Sequence, residues 1–164
     1  MGKECSVNPS LGLFDMDGTI VPYLYGKEEL LKNYEKMRKE MEKLEPFPWV
    51  TEEGIIQAID ELHIITGRGK QEENLTKRWF VNKLKLSDYI YHPIEWKNKQ
   101  QYVADKVNTI IGLYEEWRSR YPHSNVVIME DDGLVLKELL ERIDDPCVTL
   151  ISVDRETGKL TKLL

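Results

Sequence analysis

No run of apolar residues in this chain approaches the ~20 that a membrane span requires, which argues against a bilayer-crossing helix. Nor does the chain open on the apolar stretch of a secretory signal, so a cytoplasmic location is the expectation. Cysteine is scarce. Cys5 and Cys147 match no metal or redox spacing, and two cysteines build no disulfide framework, in keeping with a reducing compartment. Histidine amounts to His63, His92 and His123, spread over separate predicted elements, which suits structural or surface roles better than metal ligation. Lysine and arginine total 23 against 29 acidic residues, and a net charge of −6 argues against a protein that coats nucleic acid nonspecifically. Gly67-Arg68-Gly69-Lys70 hints at a phosphate loop but lacks the G-x-x-x-x-G-K-[ST] spacing, so no nucleoside-triphosphate site is expected. Internal repeats, linkers and low-complexity blocks are missing too. What is present is 41% hydrophobic and 32% charged residues, the balance of one globular domain over residues 1–164 with chain enough for a core. The opening Met1-Gly2-Lys3-Glu4-Cys5-Ser6 fits the loose N-myristoylation pattern, with an ordinary tail the expected reading.

Periodicity lays out the elements. The apolar run entering from Pro9-Ser10 reads as a short buried strand. Residues 27–45 are dense in Glu and Lys, with Leu30, Leu31, Tyr34, Met37, Met41 and Leu44 at three- and four-residue spacing, so one amphipathic helix is expected there. Pro46-Phe47-Pro48-Trp49 cannot continue it. Thr51 is the candidate N-cap of a second helix through about Leu62, with Glu52 and Glu53 in its first turn. A strand over Leu62–Thr66 then closes in a turn at Gly67-Arg68. Further helices are expected from about Gln71 to Leu86, Gln100 to Tyr121 and Leu134 to Ile143. Strands are expected at Asp88–Pro93, Ser124–Met129 and Cys147–Val153, and Asp154–Gly158 turns into a short terminal strand. Such alternation means an α/β fold with a three-layer, Rossmann-like parallel sheet. Ligands gather at the carboxyl ends of strands in these sheets, where Asp15, Thr66 and Asp131 all stand.

The chemistry concentrates in Leu11-Gly12-Leu13-Phe14-Asp15-Met16-Asp17-Gly18-Thr19-Ile20. Carboxylates at i and i+2 fall on one side of an extended chain, so Asp15 and Asp17 can converge on one small volume. Gly18 lets the chain turn sharply just past the strand. Two acids that close repel unless a cation or a shared proton lies between them, which points to a metal or to acid/base chemistry. A calcium loop is disfavoured, because an EF-hand places its Gly after acids at positions 1, 3 and 5. Thr66-Gly67-Arg68 ends a second strand, and Glu130-Asp131-Asp132 ends a third.

The decamer resembles motif I of the haloacid dehalogenase (HAD) superfamily, Asp-x-Asp-Gly-Thr after an apolar strand. That resemblance implies Asp15 as a phosphoryl-accepting nucleophile, and Asp17 as general acid/base whose carbonyl helps hold Mg²⁺. Gly18 and Thr19 fall with the substrate-binding turn. Thr66-Gly67-Arg68 is similar to motif II, with Thr66 hydrogen-bonding a phosphoryl oxygen and Gly67 and Arg68 at the substrate. Glu130-Asp131-Asp132 is similar to motif IV, with Asp131 the preferred Mg²⁺ ligand and Asp132 behind it or acting through water. The commoner Gly-Asp-x-x-x-Asp form is absent, which leaves their division of labour open. The motif III lysine falls on Lys106, with Lys97 and Lys99 as rivals.

An acid at Asp17 favours a phosphatase within this family. Only residues 27–50 offer a minimal cap or flap, so an open site and a large substrate are implied. Thr66-Gly67-Arg68, Lys77-Arg78-Trp79-Phe80-Val81 and the lysine ahead of an Asp-Asp pair are similar to the phosphatase half of polynucleotide kinase-phosphatases, over residues 11–153. That makes a DNA or RNA 3′-phosphate end the leading substrate and Arg68 a phosphate-binding residue. From Thr66 to Lys106 nine basic residues face five acidic ones, a stretch able to steer a phosphorylated substrate, or simply a solvated helix face. Trp49 and Trp96 fall in predicted loops where they could stack on a base, core packing being the commoner fate. A small-molecule phosphatase and a catalytically silent scaffold are the alternatives. Oligomeric state is left open, a homodimer included.

Overall fold

The computed structural model of the chain describes residues 4–23 and 34–164. Their elements run β1 (Ser6–Phe14), α1 (Tyr34–Lys43), α2 (Pro48–Glu52), β2 (Glu61–Thr66), α3 (Glu73–Leu84), β3 (Ile90–Pro93), α4 (Lys99–Arg120), β4 (Ser124–Glu130), α5 (Gly133–Arg142), β5 (Val148–Val153) and β6 (Leu160–Lys162). The strands form one six-stranded sheet in the order β3-β2-β1-β4-β5-β6, parallel except for β6, which pairs antiparallel with β5. The protein is therefore an α/β fold with a mostly parallel sheet. Among the described residues, no helix is long and apolar enough to cross a membrane.

Side chains alternate across a strand, so each strand feeds two cores. Leu11, Leu13, Ile65, Val126, Ile128, Val148 and Leu150 face one side, where they meet Val103, Val107, Ile110, Ile111 and Trp117 of α4 and Val135, Leu136 and Leu139 of α5. Phe14, Leu62, Ile64, Met129 and Val153 face the other, against Trp49 and Val50 of α2 and Trp79 and Phe80 of α3. These two packed faces make the three layers, and they explain why the central strands are apolar almost throughout. The chain runs outward from β1 through β2 to β3, then returns to the far side of β1 as β4 and continues to β5. The direction of winding thus reverses between β1 and β4, and a crevice opens there at the carboxyl ends of the strands.

Local signals set the helix ends. The Asn98 side chain caps α4 by accepting from the Gln101 N–H at 2.8 Å, and Asp132 caps α5 by accepting from the Leu134 N–H at 3.0 Å. α3 stops at Lys85, which takes the left-handed conformation (φ 55°).

Several expectations need correcting. The helix placed from Thr51 to Leu62 is instead α2, entered through Pro48, followed by a 3₁₀ turn over Ile56–Ala58, with Leu62 already in β2. Proline at the first helical position starts that turn three residues early, and Gly54 (φ 64°) ends it. Trp49 accordingly lies in a helix and is buried. The helix expected from 27 to 45 is seen as Tyr34–Lys43; its start, with Leu30 and Leu31, lies outside the described residues, as do Met1 and Gly2. Cys5 and Cys147, read as an unlinked couple, are joined by a disulfide with a Cα–Cα distance of 5.4 Å. They precede β1 and β5, strands whose starts the sheet brings to one end although 142 positions separate them in sequence.

Candidate active site

Asp15 is the first residue beyond β1, and its N–H continues the ladder to the Met129 carbonyl at 3.0 Å. The chain then turns back on itself, with the Ile20 N–H bonded to the Met16 carbonyl at 2.9 Å and the Gly18 N–H to the Val21 carbonyl at 2.7 Å. Gly18 has φ 85°, and a β-carbon there would fall 2.4 Å from an Asp131 carboxylate oxygen, so only glycine fits. The turn is pinned from below by the Trp49 indole, which donates to the Thr19 carbonyl at 2.9 Å, and by the Phe47 N–H bonded to the Ile20 carbonyl at 2.8 Å.

Three segments converge on Asp15. The Thr19 hydroxyl donates to its Oδ2 at 3.0 Å and lies 3.4 Å from Asp131 Oδ1. The Lys106 ammonium, on α4 and only 1% exposed, sits 2.7 Å from Asp15 Oδ1 and 2.9 Å from Glu130 Oε2. Glu130 is held by the N–H groups of Asp131 and Asp132, both 3.2 Å from its Oε1. Asp15, Glu130 and Asp131 each offer a carboxylate oxygen, and these atoms all lie within 4.8 Å of one another.

The acids outnumber the lysine, and their proton affinities reflect it. Burial and the neighbouring Asp15 carboxylate push Asp131 up to about 10. Burial and Asp15 also raise Glu130, to about 7, although Lys106 opposes them. Burial would raise Asp15 as well, but Lys106 and its hydrogen bonds hold it below the usual carboxylate range. Lys106 keeps its charge: burial works against the ammonium, and Asp15 and Glu130 lift it well above the ordinary lysine value. Three carboxyl groups face one ammonium and two of them hold protons more tightly than usual, so a cluster of hard oxygen donors stands ready to exchange those protons for a hard cation.

Asp17 points to a different partner. Both its oxygens accept from the Arg68 guanidinium at 2.8 Å, a planar fork, while Arg68 also donates to the Thr76 hydroxyl at 3.0 Å. Arg68 is 1% exposed and does not line the cavity, so in this arrangement it orients Asp17, where the resemblance gives it to phosphate. Thr66 ends β2, and its hydroxyl accepts from the Arg68 N–H at 3.0 Å. Asp132 is paired with Lys99 and stands apart from the three-acid cluster.

The cavity over these groups has a volume of about 510 Å³. Asp15, Asp17, Gly67, Lys106, Asp131 and Asp132 line it, all expected from the sequence. Glu130, Lys99, Tyr102, Trp96, Tyr23 and Arg155 line it as well. Of these Lys99 and Trp96 were weighed from the sequence, as a rival lysine and a loop tryptophan, and Glu130 had a signal, since it ends β4 directly before the acid pair. Trp96 is 60% exposed, its ring 5.2 Å from that of Tyr102. Lys97 lies outside the lining.

Compared with protein-family models, with curated proteins and with solved structures, the chain matches none. The site is therefore read from its own chemistry. It presents an ionised carboxylate beside a buried ammonium, a second carboxylate held by an arginine fork, and an oxygen cluster fit for a cation in the lining of the cavity.

Proposed function

We propose that the protein is a Mg²⁺-dependent phosphomonoesterase of the HAD type, with Asp15 as nucleophile. The observation that carries this reading is the buried Lys106 ammonium between Asp15 and Glu130, with an Asp131 oxygen in the same cluster, at the crevice where the sheet reverses direction. The motif resemblance supports the same roles.

Asp15, Asp131 and Glu130 would hold the ion, with the Asp17 carbonyl and Asp132 the further donors that the resemblance supplies. Bound Mg²⁺ screens the phosphate's charge and polarises its oxygens. The remaining work belongs to the chain. Lys106 lowers the repulsion between the Asp15 carboxylate and the incoming phosphate. An Asp15 oxygen attacks phosphorus in line, the ester P–O bond breaks, and the leaving oxygen takes a proton from the Asp17 carboxyl. Asp17 then accepts a proton from water, whose oxygen displaces Asp15 from phosphorus and frees inorganic phosphate. Arg68 orients Asp17, and its fork opens at one oxygen for Asp17 to carry the transferred proton. The resemblance gives Thr66 a hydrogen bond to a phosphoryl oxygen, although its side chain is buried and outside the cavity lining here.

A nucleic-acid 3′-phosphate end is the leading substrate. Exposed Trp96, packed on Tyr102, gives a stacking surface for a base, with Lys99 beside it for the backbone. A small-molecule phosphate ester is the second reading, favoured by a cavity of about 510 Å³, large enough to enclose one. The test compares Mg²⁺-dependent phosphate release from a 3′-phosphorylated oligonucleotide, from mononucleotides and from an aryl phosphate. The oligonucleotide should be preferred, and Asp15→Asn should abolish all three activities. Equal use of mononucleotides removes the nucleic-acid reading, turnover that survives Asp15→Asn removes Asp15 as nucleophile, and a wild type without Mg²⁺-dependent turnover removes the enzyme reading.

A further inference from the structure

Arg155 has no counterpart in any motif of the sequence, yet it reaches the centre of the site. It belongs to the turn between β5 and β6, where Asp154 accepts the N–H groups of Glu156 and Thr157 at 2.9 and 3.0 Å and the Gly158 N–H bonds to the Asp154 carbonyl at 2.7 Å. From this braced turn the Arg155 guanidinium pairs with Asp131 Oδ2 at 3.1 Å and lies 4.9 Å from the centre of the Tyr23 ring. The same Gly18 that leaves room for Asp131 leaves room for Arg155, whose Cβ would stand 3.1 Å from an added β-carbon. The Asp15–Gly18 turn, the acid pair and the β5–β6 turn are thus packed as one unit, with the Arg155 side chain 44% exposed and lining the cavity.

We infer that Arg155 is a substrate-binding residue whose guanidinium holds Asp131 while the cation site is empty and turns to the substrate's phosphate when a divalent ion binds. This rests on the function proposed above. A metal on either oxygen of Asp131 would share that one carboxylate with a guanidinium 3.1 Å from its Oδ2, which sets two cations against each other. Arg155 is the partner able to leave. Its side chain is partly exposed where Lys106 is buried, and its contact with the Tyr23 ring keeps it in the cavity after it leaves Asp131. A guanidinium presents paired N–H groups in the geometry that phosphate accepts, and Lys99 and Lys106 line the same space. Arg155 then couples the two ligands: cation binding frees the group that anion binding uses.

Calorimetric titration of the full chain with MgCl₂, and with inorganic phosphate in the absence and presence of saturating Mg²⁺, reads this directly. In the wild type, Mg²⁺ should tighten phosphate binding. In Arg155→Gln, phosphate affinity of the Mg²⁺-loaded protein should fall about tenfold or more, while Mg²⁺ alone binds several-fold more tightly because its competitor at Asp131 is gone. Arg155→Lys should recover part of the phosphate affinity, since it keeps the charge and loses the fork. A phosphate affinity in Arg155→Gln within twofold of wild type overturns the inference and leaves the proposed function standing. So does an unchanged Mg²⁺ affinity. A wild-type chain that binds no Mg²⁺ overturns both.

Discussion

Removing divalent ions should make this protein less stable as pH rises, the reverse of ordinary acid denaturation. In the metal-free fold Asp131, pushed up to about 10 by burial and by Asp15, keeps a proton that an unfolded aspartate releases near 3.9, while its Oδ2 still accepts from the Arg155 guanidinium. A native state that binds more protons than the unfolded state loses stability with rising pH, at about 1.4 kcal/mol per pH unit for each retained proton. Between pH 5 and 8 Asp131 alone would remove about 4 kcal/mol. Glu130, raised to about 7, steepens the fall in its lower part. That is a large share of the 5–15 kcal/mol typical of a domain. His92 works the other way: burial and His63 lower its proton affinity, so the unfolded chain takes up a proton first and stability rises with pH up to about 6.5. Asp131→Asn separates the two, because it deletes the carboxyl and leaves His92. Urea unfolding midpoints at pH 5, 6, 7 and 8, with chelator and with saturating Mg²⁺, give the measurement. The wild type in chelator should lose stability relative to Asp131→Asn as pH rises, and Mg²⁺ should remove the loss by stabilising the ionised cluster. A metal-free wild type whose pH profile parallels that of Asp131→Asn refutes the reasoning, as does a profile that Mg²⁺ leaves unchanged.

Lys106→Met removes the buried counter-ion of Asp15 and Glu130, and breaking a buried pair this way costs about 3–5 kcal/mol. For a chain of this size that corresponds to roughly 6–20 °C in Tm; a loss below about 1 kcal/mol in chelator means the ammonium does not hold the cluster together. The Cys5–Cys147 link closes a loop spanning 142 positions, for which chain entropy gives a stabilisation of up to about 5 kcal/mol. Reductant should lower the wild-type midpoint by much of that and leave a Cys5→Ser/Cys147→Ser double variant unmoved, and equal midpoints with and without reductant contradict the closed loop.

What the sequence determined by itself was local. Apolar runs of strand length broken by Asp15, Thr66 and Glu130 mark three strand ends, and alternating strands and helices force a parallel sheet. In such a sheet those ends must face one crevice, so Asp15 and Asp131 could be placed together from pattern alone. Lys106 was legible only as one of three lysines. Its burial between two acids separates it from exposed Lys97 and from Lys99, which pairs with Asp132.

Only the tertiary structure decided the rest, because those groups have no sequence neighbour that announces them. Arg68 stands one residue beyond Gly67 and reads as a phosphate ligand, but packing beside Thr76 turns its fork onto Asp17. Thr51 reads as a helix cap, yet Pro48 starts the helix earlier, and the burial of Trp49 and Val50 keeps it there. Cys5 finds Cys147 across β4, which lies between their strands, and Arg155 finds Asp131 across the paired ends of β4 and β5. Pairings of this kind are made by sheet order and close packing, and no periodicity along the chain carries them.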